Sequence, residues 1–181
     1  MPRCDGILHW MGGSISQTQM LYNPEEERVL FRINSTGKQE FRFWITRRYA
    51  LLMLKILKEH RETDPGVAIQ TTPEAKKALQ SFMQEKAMGQ ADFSKKFEEE
   101  ADELPLGQDA QIAFKLNYGI KDGNFQLGVQ PKEGQGISMV INQDLNVSLT
   151  QLLLAAAKKG DWRFAEWEAS DPLTNERQVI N

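Results

Sequence analysis

The residues of this chain whose types and spacing suit them to chemistry are arginines. Arg28, Arg32, Arg42, Arg47 and Arg48 fall close together, with Trp44 among them. Guanidinium groups pair with carboxylates and phosphates through directed hydrogen bonds. An aromatic side chain on the same surface can stack on a base. That is binding chemistry. A catalytic set is harder to assemble. The chain has no Gly-rich loop ending in Lys-Ser/Thr and no His-Glu-x-x-His, and Gly134-Gln135-Gly136 precedes a strand-like run, where a dinucleotide loop would open a helix. His9 and His60 are isolated and read as surface residues. Cys4 has no basic neighbour to activate it. With one Cys and two His there is no set for structural zinc. The acidic run Glu98-Glu99-Glu100 diverges on a helix and reads as a solvated face. No cofactor and no metal is implied.

The elements that must hold those arginines can be read from period-two patterning. In Arg28-Val29-Leu30-Phe31-Arg32-Ile33 and Glu40-Phe41-Arg42-Phe43-Trp44-Ile45, large apolar residues alternate with charged or mixed ones, the mark of half-buried strands. A turn-rich stretch from Asn34 to Gln39 joins them, with Gly37 free to take positive φ. Pairing Phe31 with Phe43 and Ile33 with Phe41 sets Leu30 opposite Trp44 and Arg32 opposite Arg42 on the outer face. Two like charges across a ladder are destabilising unless an anion sits over them, and Glu40 is the diagonal neighbour that could serve. Residues 16–22 read as a preceding strand, ended by Asn23-Pro24.

Thr46 then caps an apolar helix that stops before Asp64-Pro65-Gly66 and should be largely buried. Arg47 and Arg48 in its first turn oppose the helix dipole, each at about 0.3–1 kcal/mol. Thr72-Pro73-Glu74 opens a second helix with Ala75, Ala78, Leu79, Phe82 and Met83 at helical spacing. Residues 91–101 read as a further, mostly polar helix. Beyond them the first layout returns. Ile112, Phe114, Leu116 and Tyr118 alternate with polar residues, Lys121-Asp122-Gly123-Asn124 turns, and Phe125, Leu127 and Val129 alternate again. Residues 137–141 give a further strand, and Ser148 opens a helix closed by Gly160.

The fold class expected is α+β, with duplicated antiparallel strands-then-helix units and a helical insert between them. The divisions are a strand-rich N-terminal half (1–62), a helical and acidic connector (63–109), and a C-terminal half with an aromatic tail (110–181). Trp162, Phe164 and Trp167 in that tail are too apolar to stay solvated together. They should close the core of the second half or dock on another surface.

Charge is uneven. The formal net is -3, yet residues 28–61 carry nine basic side chains against two acidic ones, and residues 91–109 carry seven acidic against two basic. Such asymmetry permits an anionic partner at one place and a solvated linker at another. No run approaches the roughly 20 apolar residues of a membrane span, and the first residues lack a signal peptide's apolar centre. The expectation is a cytoplasmic protein with no membrane partner.

The stretch Glu40-Phe41-Arg42-Phe43-Trp44-Ile45-Thr46-Arg47-Arg48, preceded by Glu27-Arg28-Val29-Leu30-Phe31-Arg32, resembles a family of uncharacterised bacterial proteins sharing an aromatic strand that ends Trp-aliphatic-Thr-Arg-Arg before an apolar helix. That resemblance implies no activity. In layout alone, strands-then-helix given twice is similar to the Whirly and transcriptional-coactivator group of single-stranded DNA-binding domains, which implies binding on the sheet. The second half departs from it, because its outward residues Lys115, Asn117, Gln126, Gln130 and Ser138 carry little positive charge.

Together these features predict a binding or assembly protein and not an enzyme. Its partner is a protein or a second copy, met by Arg28, Arg32, Arg42, Trp44, Arg47 and Arg48. The alternative is sequence-tolerant binding of single-stranded nucleic acid on the same face. That face could also be covered within the chain, with its arginines satisfied by the acidic segment.

Overall fold

A computed structural model describes residues 7–9, 14–90, 96–99 and 101–164. The expectations for Cys4, Gly12-Gly13, residues 91–95, Glu100 and Trp167 lie outside that set. So does the side chain of His9.

The strands are β1 (Ile7–His9), β2 (Ile15–Asn23), β3 (Arg28–Ser35), β4 (Glu40–Ile45), β5 (Gln111–Ile112), β6 (Lys115–Lys121), β7 (Asn124–Gln130) and β8 (Gly136–Val140). The helices are α1 (Arg47–Glu62), α2 (Pro65–Ala68), α3 (Pro73–Gln90) and α4 (Gln143–Lys159). Two four-stranded sheets result, ordered β2-β3-β4-β5 and β1-β8-β7-β6. The class is α+β.

The register of β3 on β4 follows the alternation: Phe31 pairs with Phe43, Ile33 with Phe41, Leu30 with Trp44 and Arg32 with Arg42. The inner set Val29, Phe31, Ile33, Phe41, Phe43 and Ile45 is almost wholly buried, each side chain contributing about 1.5–3 kcal/mol. In the connecting turn it is Lys38, φ 57°, and not Gly37, that takes the left-handed conformation. Lys38 N donates to Ser35 O at 3.0 Å. In the second sheet Asp122 (φ 52°) and Gly123 (φ 77°) make the two-residue turn that joins β6 to β7.

The strands do not stay within their halves. β5 pairs parallel with β4, and β1 pairs parallel with β8. Each sheet is an antiparallel meander completed at one edge by a short strand from the other half. The expected duplication of antiparallel strands-then-helix units is not confirmed, because each sheet contains one parallel pairing. Strands of two or three residues carry too little pattern to say which edge they join. Both sheets, α1 and α4 share one hydrophobic cluster. α1 and α4 pack on each other, α4 against β2 and β3, and α1 against β6.

Thr46 caps α1, accepting from Tyr49 N. α4 starts one and a half turns before Ser148, capped by Asn142, which accepts from Leu145 N at 2.8 Å. The early start places Asn146 in the interface with α1, where it is fully buried. Asn146 Oδ1 accepts from Arg61 Nη1 at 3.0 Å, and its Nδ2 donates to Leu57 O at 2.9 Å and meets His60 Nδ1 at 2.8 Å. His60 is therefore half-buried in a polar network, contrary to the surface placement expected of it. Phe82, placed by its spacing in the packed face of α3, is 62% exposed. Trp162 and Phe164 close the core, with Trp162 edge-on to Tyr22 at 6.0 Å between centroids.

The candidate binding face of the N-terminal sheet

Because β2, β3, β4 and β5 are in register, their outward side chains form rows across the sheet. Gln19, Arg32 and Arg42 make one row. Gln17, Asn34 and Glu40 lie beside it. On its other side Leu21, Leu30, Trp44 and Ile112 align across all four strands.

The arginine row is neutralised from within. Glu40 is buried, and its Oε1 accepts from Arg32 Nε at 2.6 Å and from Arg42 Nε at 2.7 Å, while Oε2 accepts from Arg42 Nη2 at 3.2 Å. Burial pushes the Glu40 carboxyl up. Hydrogen bonds from Arg42 and Arg32, with their charges, more than offset that and hold it below the usual carboxylate value. One anion thus resolves the repulsion that the register imposes.

The acidic connector then covers Arg32. Residues 96–99 have no regular secondary structure, in contrast to the polar helix expected for 91–101. The Phe97 ring lies over Arg32 Cζ at 4.3 Å, a cation–π contact. Glu99 Oε1 is 3.4 Å from Arg32 Nη1. Gln17 brackets Phe97 through the main chain: its Oε1 accepts from Glu98 N at 2.9 Å and its Nε2 donates to Lys96 O at 3.3 Å. Asn34 Nδ2 donates to Glu98 O at 2.9 Å. Asn34 is itself buried, and its Oδ1 has no partner. Further on, Glu40 N donates to Glu103 O, Gln39 Nε2 donates to Glu103 Oε2 at 2.8 Å, and Arg42 Nη1 donates to Gln108 O at 3.2 Å. The basic and acidic stretches are thus joined within the chain.

The other candidate residues lie apart from that covered row. Arg28 pairs with Glu26 at 3.1 Å on the surface, a contact worth about 0–1 kcal/mol. Arg47 is exposed, and its Nη2 donates to Arg163 O at 3.2 Å. Arg48 is exposed at the start of α1. Trp44 and Leu30 are half-buried, and Leu21 and Ile112 are 43% and 45% exposed. The face therefore consists of a filled polar half and a partly exposed apolar row beside it. Gln17, Leu21, Asn34, Phe97 and Ile112 were absent from the residues expected to form it. The alternation of Gln17, Gln19 and Leu21 with Thr18, Met20 and Tyr22 could have placed the β2 members.

No family model, curated protein or solved structure matches this chain. Among the described residues no helix is long and apolar enough to cross a membrane.

Proposed function

We propose that this chain is a non-enzymatic protein-binding module whose partner lays an extended, acidic segment bearing an aromatic or aliphatic side chain on the outer face of the N-terminal sheet. The observation that carries the reading is the way residues 96–99 are held. Amide side chains grip the main chain around Phe97, Arg32 takes the ring and a carboxylate, and the row Leu21, Leu30, Trp44 and Ile112 lies partly exposed alongside. Arg28 and Arg42 flank that row in register, Arg28 only in a surface pair with Glu26 that an acidic partner could replace.

A second reading has a specific point in its favour. Half-buried Trp44 precedes the exposed Arg47 and Arg48 by three and four residues, and ring and cation together are what a sequence-tolerant single-strand binder uses, as the layout resemblance to the Whirly group would imply.

Fluorescence anisotropy with two labelled probes separates the readings. One probe is a peptide copy of residues 95–103, and the other is oligothymidine. The protein reading expects saturable peptide binding that Trp44→Ser abolishes. Oligothymidine binding that depends on Trp44 and weakens steeply with salt, with no peptide binding, would replace it with the nucleic-acid reading. Binding of neither probe would remove the face as a binding site.

A further inference from the structure

The second sheet carries an edge built differently from the first. β6 has β7 on one side and no strand on the other among the described residues. α1 runs alongside it. Tyr49 Oη donates to Lys115 O at 3.2 Å at one end. At the other end His60 stacks on Phe125, the cross-strand partner of Ile120. The two paths agree in length, since eleven helical residues and five strand residues each span about 16 Å.

Along this strip the inner-face residues of β6 pair with core-side ones, Tyr118 with buried Leu127 and Ile120 with half-buried Phe125, so both face the core side of the sheet. They nevertheless project past the cover of α1, with Tyr118 56% and Ile120 75% exposed. On α1, Leu52, one turn from Tyr49 and one turn from Ile56, is 47% exposed. An apolar shelf beside an open strand edge is a template for another strand.

The sequence of β6 specifies which strand. Antiparallel pairing with itself about Tyr118 would set Lys115 against Lys121, a like-charge pair. Pairing about Gly119 removes that conflict. Tyr118 then faces Ile120 of the other strand on the core side, an aromatic–β-branched pair of the kind that stabilises ladders, and Lys121 faces Asn117 on the other side. Nothing lies within 4 Å of where a Gly119 Cβ would be, so the centre of this pairing is sterically open.

We propose that β6 is an assembly edge occupied by β6 of a second copy, antiparallel and two-fold about Gly119. Two four-stranded sheets join into one of eight strands, and α1 of each copy lies on the same face of it. The shelf left bare by one α1 then lies between two. This inference concerns a different surface from the proposed binding face and does not rest on that reading.

Sedimentation velocity on the full chain tests it. The parent chain is expected to pass with rising concentration from 20.7 kDa to twice that mass. Tyr118→Lys and Ile120→Lys should each raise the dissociation constant about tenfold or more, with far-UV circular dichroism unchanged and the melting temperature unchanged at concentrations where the parent is monomeric. Trp44→Ser should leave the dimer intact. In a Cys4→Ser background, Gly119→Cys should form a disulfide-linked dimer under mild oxidation, whereas Gln126→Cys should not. A parent that stays monomeric at its highest soluble concentration, or a dimer indifferent to both lysines, overturns the proposal. A dimer broken by the lysines but not captured through position 119 overturns its two-fold register.

Discussion

His60 stacks face to face on Phe125, with ring centroids 3.9 Å apart and planes within 7° of parallel. The pair ties the last turn of α1 to the second sheet, and it sets how the protein responds to acid. His60 Nδ1 accepts from Asn146 Nδ2, because Asn146 Oδ1 is already taken by Arg61. Burial, with the nearby Arg61 charge, holds the imidazole below its ordinary 6.5, against a smaller opposing effect of Asp64.

The pH consequence has a definite sign. A histidine whose folded pKa is lowered binds its proton more readily when unfolded, so stability is full above about 6.5 and falls as pH drops through the lowered native value. Urea melts of the parent should weaken over that window. Those of His60→Gln should change less, with only carboxylates titrating further down. A His60 ring proton that titrates in NMR at or above 6.5 would contradict the account.

Glu40 stands between Arg32 and Arg42, and removing it leaves two guanidinium groups opposed across one ladder with no buried anion. Glu40→Ala should cost about 3–5 kcal/mol, the range for breaking one side of a buried ion pair, measured by urea unfolding at neutral pH. Because the Glu40 carboxyl is held below its ordinary value, its contribution is present above that ordinary value and is lost as pH falls through the lowered one. A loss under 1 kcal/mol in Glu40→Ala would mean that Glu99 and solvent replace it.

Gly160 ends α4 with its Cα turned toward the Tyr22 ring. A Cβ there would lie 2.5 Å from Tyr22 Cε2, closer than side-chain atoms approach. Its φ of -85° is ordinary, so the constraint is contact and not backbone conformation. Gly160→Ala should destabilise by about 1–3 kcal/mol, because Tyr22 must move away from Trp162. Calorimetry of Gly160→Ala and of Gly160→Ala/Tyr22→Ala checks this. The second substitution should cost less in the alanine background than in the parent, and simple additivity would show that the ring is not the obstacle.

Local signals in the sequence were legible where a short range decides the outcome. The Phe31–Phe43 register follows from period two and a short turn, and the Thr46 cap from its place before an apolar run. The opposed Arg32 and Arg42, with Glu40 as their neutraliser, are also readable. What could not be read depends on contacts far apart in sequence. Gln111–Ile112 is too short to declare that it belongs to β4. Phe97 sits in an acidic stretch whose composition suggests a solvated helix, and only the Arg32 side chain 65 residues away gives its ring a place to lie. The β6 shelf was hidden for a related reason. Alternation assigns Tyr118 and Ile120 to the inner face correctly, but it cannot report that α1 stops short of covering them.

The exchange of short strands between the two sheets carries a consequence for synthesis. Ile7 pairs with Gly136, so once made, β1 waits for a partner 129 residues behind it. At about 5–20 residues per second that delay is on the order of ten seconds. β4 likewise has an open edge until Gln111 emerges to join Phe43. A chain halted before β5 therefore holds both ladders incomplete at once, and a nascent-chain chaperone would find its longest-lived target in β1.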